Sequence, residues 1–107
     1  MIRMFNAQGA NGQSAPYRVI NEGSSEGHPR PRVDFSLYAD GTFGGGTVKL
    51  QASPDGGTTW FDVPSASLTV KGVVGGTVYG QRLRLDLSGA TAPTLSAWLG
   101  TSARIEP

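Results

Sequence analysis

The chain has no cysteine, which excludes a disulfide framework, a thiolate nucleophile and any cysteine-based metal centre. It has a single histidine, His28, between Gly27 and Pro29. No second ligand or triad partner stands near it, so His28 reads as a polar loop residue, and neither a metal nor another cofactor is expected. Long apolar runs are also missing. None approaches the ~20 residues of a membrane helix, and the opening Met-Ile-Arg-Met-Phe-Asn-Ala-Gln lacks the apolar core of a signal peptide. A soluble protein made in a cytoplasm, with no membrane partner, is the expectation. Neither charge sign dominates, with nine basic residues against eight acidic. The longest basic run is Arg30-Pro31-Arg32, and no stripe interleaves Arg with aromatics, so nucleic acid is not an expected partner. Finally, no window of ~11–18 residues carries the 3.6 period of an amphipathic helix.

What remains is alternation and punctuation. Val33, Phe35 and Leu37 alternate with Asp34, Ser36 and Tyr38. Leu83, Leu85 and Leu87 alternate with Arg82, Arg84 and Asp86, and Leu95, Ala97 and Leu99 follow the same period. This is the signature of half-buried strands. The 16 glycines and 7 prolines fall mostly between such segments, as turn residues do. At 107 residues the chain fits one domain with a modest two-layer core. The expected fold is therefore all-β: a single-domain antiparallel β-sandwich or jelly roll of six to eight short strands over 16–107. Residues 1–15 have little periodicity and read as an extended N-terminal arm. Its apolar tip, Ile2, Met4 and Phe5, would be buried on a neighbouring subunit or partner.

One stretch specifies its own structure. Ser53-Pro54-Asp55-Gly56-Gly57-Thr58-Thr59-Trp60 lies between the alternating Thr47–Ala52 and Thr59–Val63. Pro54 presets φ, Asp55 can accept backbone hydrogen bonds, and the two glycines supply positive φ, so a tight reversal is expected. These residues resemble the Asp-box, a hairpin motif known from sialidases and other β-propellers, with Ser53, Asp55, Gly57, Thr59 and Trp60 at its positions. The resemblance implies a structural turn in which Asp and Thr tie the loop and Trp packs beneath it. It does not imply glycosidase activity.

Other residues invite a functional reading. Phe43, in a glycine-rich loop, is either a plug closing one end of the sandwich or an exposed contact. Trp98 faces away from the core beside Gly100 and is a candidate contact. Asp34, Asp62 and Asp86 are placed on polar strand faces, Asp40 and Asp55 in turns. Nothing resembles a nucleophile elbow, and Gly44-Gly45-Gly46 and Gly75-Gly76 lack the following helix and Lys of a phosphate cradle. No catalytic residue is assigned and no enzyme is expected.

The run from Gly46 to Val63, then Val70-Lys71-Gly72-Val73-Val74, then Arg82 to Ala90, resembles small β-sandwich proteins encoded among bacteriophage virion genes. The resemblance implies a head decoration or cement protein on the outer surface of the capsid, bound to the major capsid protein or another virion protein. Shell symmetry then suggests a homo-oligomer, a trimer. The alternatives are a small tail or neck component, or a carbohydrate-binding module for host attachment that uses Trp98, Tyr38 or Trp60 as a stacking platform.

Overall fold

Successive side chains of an extended segment point to opposite faces. In the computed structural model, which describes residues 2–20, 32–102 and 104–106, the alternating stretches form strands, and those residues contain no helix. The strands are β1 (Ile2–Gln8), β2 (Gly12–Gln13), β3 (Tyr17–Ile20), β4 (Arg32–Thr42), β5 (Thr47–Ser53), β6 (Phe61–Leu68), β7 (Gly72–Tyr79), β8 (Arg82–Ser88), β9 (Thr94–Thr101) and β10 (Arg104–Glu106). His28 and its loop lie outside the described residues.

The strands form two antiparallel sheets. Sheet 1 has the order β1-β9-β4-β7, and sheet 2 the order β10-β3-β8-β5-β6, with β2 also on β8. The pairings nest: β1 with β9, β3 with β8, β4 with β7 and β5 with β6. That is one long hairpin ribbon of eight strands. Wrapping it sets β9 against β4 and β8 against β5 and so completes both sheets. Such a wrapped ribbon is a jelly roll, which selects one of the two architectures expected. The remaining two strands are short additions along β8 and β3.

The core lies between the sheets. β4 contributes Val33, Phe35, Leu37 and Ala39, β9 contributes Leu95, Ala97 and Leu99, and from sheet 2 come Val48, Leu50, Leu83, Leu85 and Leu87. Phe43 is buried in the β4–β5 loop within the same core. It is the plug, and the contact reading is excluded.

The N-terminal arm expected over residues 1–15 belongs instead to the sandwich. β1 pairs with β9 through Ile2↔Leu99, Arg3↔Trp98 and Phe5↔Ala97. The extra residue, Met4, forms a bulge that inverts the facing, so Arg3 lies opposite outward Trp98 while Phe5 lies opposite inward Ala97. That slip hides the period-two signal in the sequence. Phe5 is only 2% exposed and so is not available to a neighbour, while Ile2 and Met4 are half-buried against the core. The chain continues along β8, where Ser14 N–H donates to Leu85 O at 2.8 Å and Leu85 N–H donates to Ser14 Oγ at 2.9 Å.

Three local features depart from what their residue types suggest on their own. Asp40-Gly41 is not a hairpin turn but the end of β4, where a side chain on Gly41 would lie 2.2 Å from Thr94 O; the glycine serves strand approach. The Gly75-Gly76 pair lies inside β7 and is not a turn before it. A side chain at Gly75 would crowd Phe35 O at 2.9 Å, whereas a Cβ at Gly76 would only touch the Phe35 ring, at 3.5 Å. Pro64 interrupts no strand, because β6 bulges between Asp62 and Ser67, with Ser65 at φ 58°, on the edge of sheet 2. An edge bulge is where a residue without an N–H is tolerated.

Loops at one end are tied to one another through backbone groups, by the Asn11 side chain and by one backbone–backbone bond. Asn11 Nδ2 donates to Ala90 O at 3.0 Å and Asn11 Oδ1 accepts from Ala90 N at 2.9 Å. Thr91 N donates to Gly44 O at 2.9 Å.

Two stability tests follow from this packing. Phe5→Ala should cost about 3–5 kcal/mol in denaturant melts, as for a core aromatic; an arm residue would cost almost nothing. Gly44→Ala combines a φ of 61° with a clash 2.2 Å from Thr91 O, whereas Gly45, at φ 77°, has nothing within 4 Å. Gly45→Ala should therefore cost only the left-handed penalty of ~1–2 kcal/mol, and Gly44→Ala clearly more. Equal melting temperatures would contradict the loop clamp.

Candidate functional site

The β5–β6 hairpin folds as its residues dictate. The Ser53 hydroxyl is fully buried; it donates to Asp55 Oδ1 at 2.8 Å and accepts from Gly57 N at 2.8 Å. Asp55 Oδ1 also accepts the backbone N–H of Thr59 at 2.8 Å and of Thr58 at 3.1 Å. Trp60 Nε1 donates to Gly57 O at 3.0 Å, and Arg84 lies over the indole, 4.2 Å from its centroid. The hairpin is docked to its neighbour by Gln81 N, which donates to Ser53 O at 2.8 Å. All five box residues thus meet in one closed hydrogen-bonded unit, and Trp60 is engaged at its nitrogen and covered by a cation.

The donors converging on Asp55, first the Thr59 backbone N–H, then the Thr59 and Ser53 hydroxyls, hold its carboxyl below the usual range, at about 2. Hydrogen bonds to the charged form favour that form.

From Arg84 a polar chain runs across the outer face of sheet 2. Arg84 Nε donates to Gln51 Oε1 at 2.8 Å, and Gln51 Nε2 donates to Asp62 Oδ1 at 2.8 Å. Lys49 Nζ reaches Asp62 at 3.1 Å and Asp86 at 3.9 Å, and Gln13 Nε2 donates to Asp86 Oδ1 at 2.8 Å. Asp62 is lowered by Gln51 first and Lys49 second. Asp86 is buried, at 7% exposure, beneath Lys49 and Gln13; its expected solvent-facing position does not hold, because β2 covers that strand. These carboxylates satisfy a surface network, and among the described residues no group of three or more acidic or His residues could hold a metal ion.

The outer face of sheet 1 is different. Arg3, Trp98, Tyr38 and Val73 are successive cross-strand partners on β1, β9, β4 and β7. They form one row across the sheet. Arg3 lies 5.2 Å from the Trp98 ring centroid and its NH2 donates to Ser96 Oγ at 3.3 Å. Trp98 is half-buried and Tyr38 exposed. Sequence reasoning found Trp98 and Tyr38 separately, but the strand order that joins them with Val73 had no local signal. Further apolar exposure lies at the sandwich flank, in Phe61 on β6, Val70 in the β6–β7 turn and Tyr79 on β7.

The fold defines a jelly-roll β-sandwich. Comparison of the chain with protein-family models, curated proteins and solved structures found no match.

Because the folded carboxyl of Asp55 lies below its unfolded value, its contribution to stability is present above about pH 4 and is lost as pH falls toward 2. Asp55→Asn should lower the melting temperature above pH 4, with the gap to the parent protein closing between pH 4 and 2. A gap that stays constant over that range would show that the carboxylate charge does not hold the turn.

Proposed function

We propose that this chain is a bacteriophage virion structural protein of the head decoration or cement type, bound as a small homo-oligomer to the major capsid protein on the outside of the shell. The resemblance of 46–63, 70–74 and 82–90 to virion proteins motivates the reading. The jelly roll is compatible with it, being an architecture of viral capsid domains and of lectins alike.

The observation that carries an assembly role is the placement of exposed apolar side chains. Tyr38, Phe61, Val70, Val73 and Tyr79 are the exposed large hydrophobics among the described residues. Four of these five lie on β6, β7 or the turn between them, where the edge strands of the two sheets lie against each other. Water-facing groups of that size, gathered along one flank, suit a protein interface better than scattered exposure does. The β6 edge is blunted against strand addition by Pro64 and its bulge. Contact with the shell along that edge would be through side chains, which suits a repeated, registered lattice in which β-pairing between copies would cause aggregation.

Purified particles of the phage that carries this chain should contain it in hundreds of copies, in fixed ratio to the major capsid protein by quantitative mass spectrometry. A handful of copies would assign it to the tail or neck, and its absence would end the reading. Phe61→Ser and Val70→Ser, at positions 59% and 67% exposed, should change stability by no more than ~0.5 kcal/mol yet lower particle loading.

A further inference from the structure

We propose that the outer face of sheet 1 is a saccharide-binding site, in which a cleft beside Trp98 and Tyr38 takes one neutral pyranose ring. The cleft measures about 410 Å³ and is lined by Trp98, Tyr38, Val73, Gly72, Asp40 and Lys71. That volume lies within the ~300–1,000 Å³ of small-ligand sites, whose mostly apolar walls carry a few convergent polar groups. The apolar part here is the ridge Trp98–Tyr38–Val73, fixed by cross-strand pairing on three adjacent strands. The polar part is Asp40 and Lys71 at the rim.

Three observations select the ligand class. First, Arg3 comes from β1, on the flank of Trp98 opposite to β4 and β7, which supply the rest of the lining. Stacked on the indole and bonded to Ser96, it acts as a positioning residue and leaves the cleft side open. Second, Asp40 Oδ1 and Lys71 Nζ are 3.9 Å apart with their side chains 54% and 76% exposed. A hydroxyl entering there can donate to the carboxylate and accept from the ammonium. The pair carries no net charge, so the rim favours a neutral polyhydroxylated ligand over an anion or a cation. Third, the ridge is one cross-strand row wide. On one side of it the facing row is Gly100, Ser36 and Gly75, whose short side chains suit a ring-sized ligand. A pyranose offers what remains: a C–H face for the aromatic floor and hydroxyls at its edge for the ion pair.

This inference does not rest on the virion reading, and its test uses only the purified full-length chain. Methyl β-galactopyranoside, methyl β-glucopyranoside and methyl α-mannopyranoside would each be titrated into ¹⁵N-labelled protein. The two tryptophans report separately, since the Trp60 indole N–H is bonded to Gly57 O on the other sheet. At least one glycoside should shift the Trp98 indole signal and outer-face residues of β4 and β7 saturably, with half-saturation at about 1–10 mM, while Trp60 stays fixed. Trp98→Ala and Tyr38→Ala should each weaken binding at least about tenfold, and Asp40→Asn should weaken it with the Trp98 signal of the free protein unchanged. The proposal is overturned if no glycoside gives a saturable shift, if shifts survive in Trp98→Ala, or if the same residues respond to protein concentration, which would make the face a contact between copies. Particle loading plays no part in these readouts, so failure here leaves the assembly reading standing.

Discussion

Seven leucines, Leu37, Leu50, Leu83, Leu85, Leu87, Leu95 and Leu99, are almost wholly removed from water, and their burial between the sheets is what every other part of the molecule must accommodate. They sit at alternate positions of the four strands at the middle of the two sheets. A register slip of one residue would turn a whole set outward and bring Arg, Lys or Asp inward. The ribbon must also cross between the sheets repeatedly without leaving backbone polar groups unpaired in the core. That requirement explains the loop bonds: Asn11 mimics a strand partner for Ala90, and Gly44 accepts from Thr91 where no larger residue fits. The Asp-box meets the same need at the β5–β6 hairpin, using side-chain oxygens in place of carbonyls.

The two outer faces solve the problem of a half-exposed sheet in opposite ways. On sheet 2, long polar side chains bond to one another from Gln13 to Arg84, ending on the Trp60 ring. Little bonding capacity is left there for a partner. Sheet 1 carries the aromatic row, with Arg3 at one end of it and short polar side chains such as Ser36 and Ser96 beside it. The asymmetry leaves sheet 2 as the well-knit side of the sandwich.

The strands whose alternation is unbroken, β4, β8 and β9, were legible residue by residue, as was the Asp-box, because each of its positions has a local reason to be what it is. β1 was not. Met4 spoils its period, and the burial of Phe5 depends on Ala97, more than ninety positions away. Gly75-Gly76 in β7 has the composition of a turn, but the Phe35 carbonyl leaves no room for a Cβ at Gly75, and a missing Cβ serves close packing as well as it serves reversal. Asp40-Gly41 misled for the same reason. Each tryptophan has an Arg over its ring; what distinguishes them is the Gly57 carbonyl that holds the Trp60 nitrogen and the cleft beside Trp98, which arises from strand order and has no local signal. Strand order has no local code at all; it emerges from which faces must share a core.

The pairing of β1 with β9 has a consequence for how the protein is made. Its first strand leaves the ribosome long before the strand that will flank it, and β3 likewise waits for β8 and β10. Only the β5–β6 hairpin, pinned by its own turn, can form from neighbouring sequence. Folding is therefore dominated by distant pairings, which are slow to find because loop closure precedes the reward. During synthesis Phe5 and the β4 apolar residues stay uncovered until nearly the whole chain has emerged. The protein would then load the cell's chaperones in proportion to its output, and the early-forming hairpin would limit how much of the chain is left unpaired in that interval.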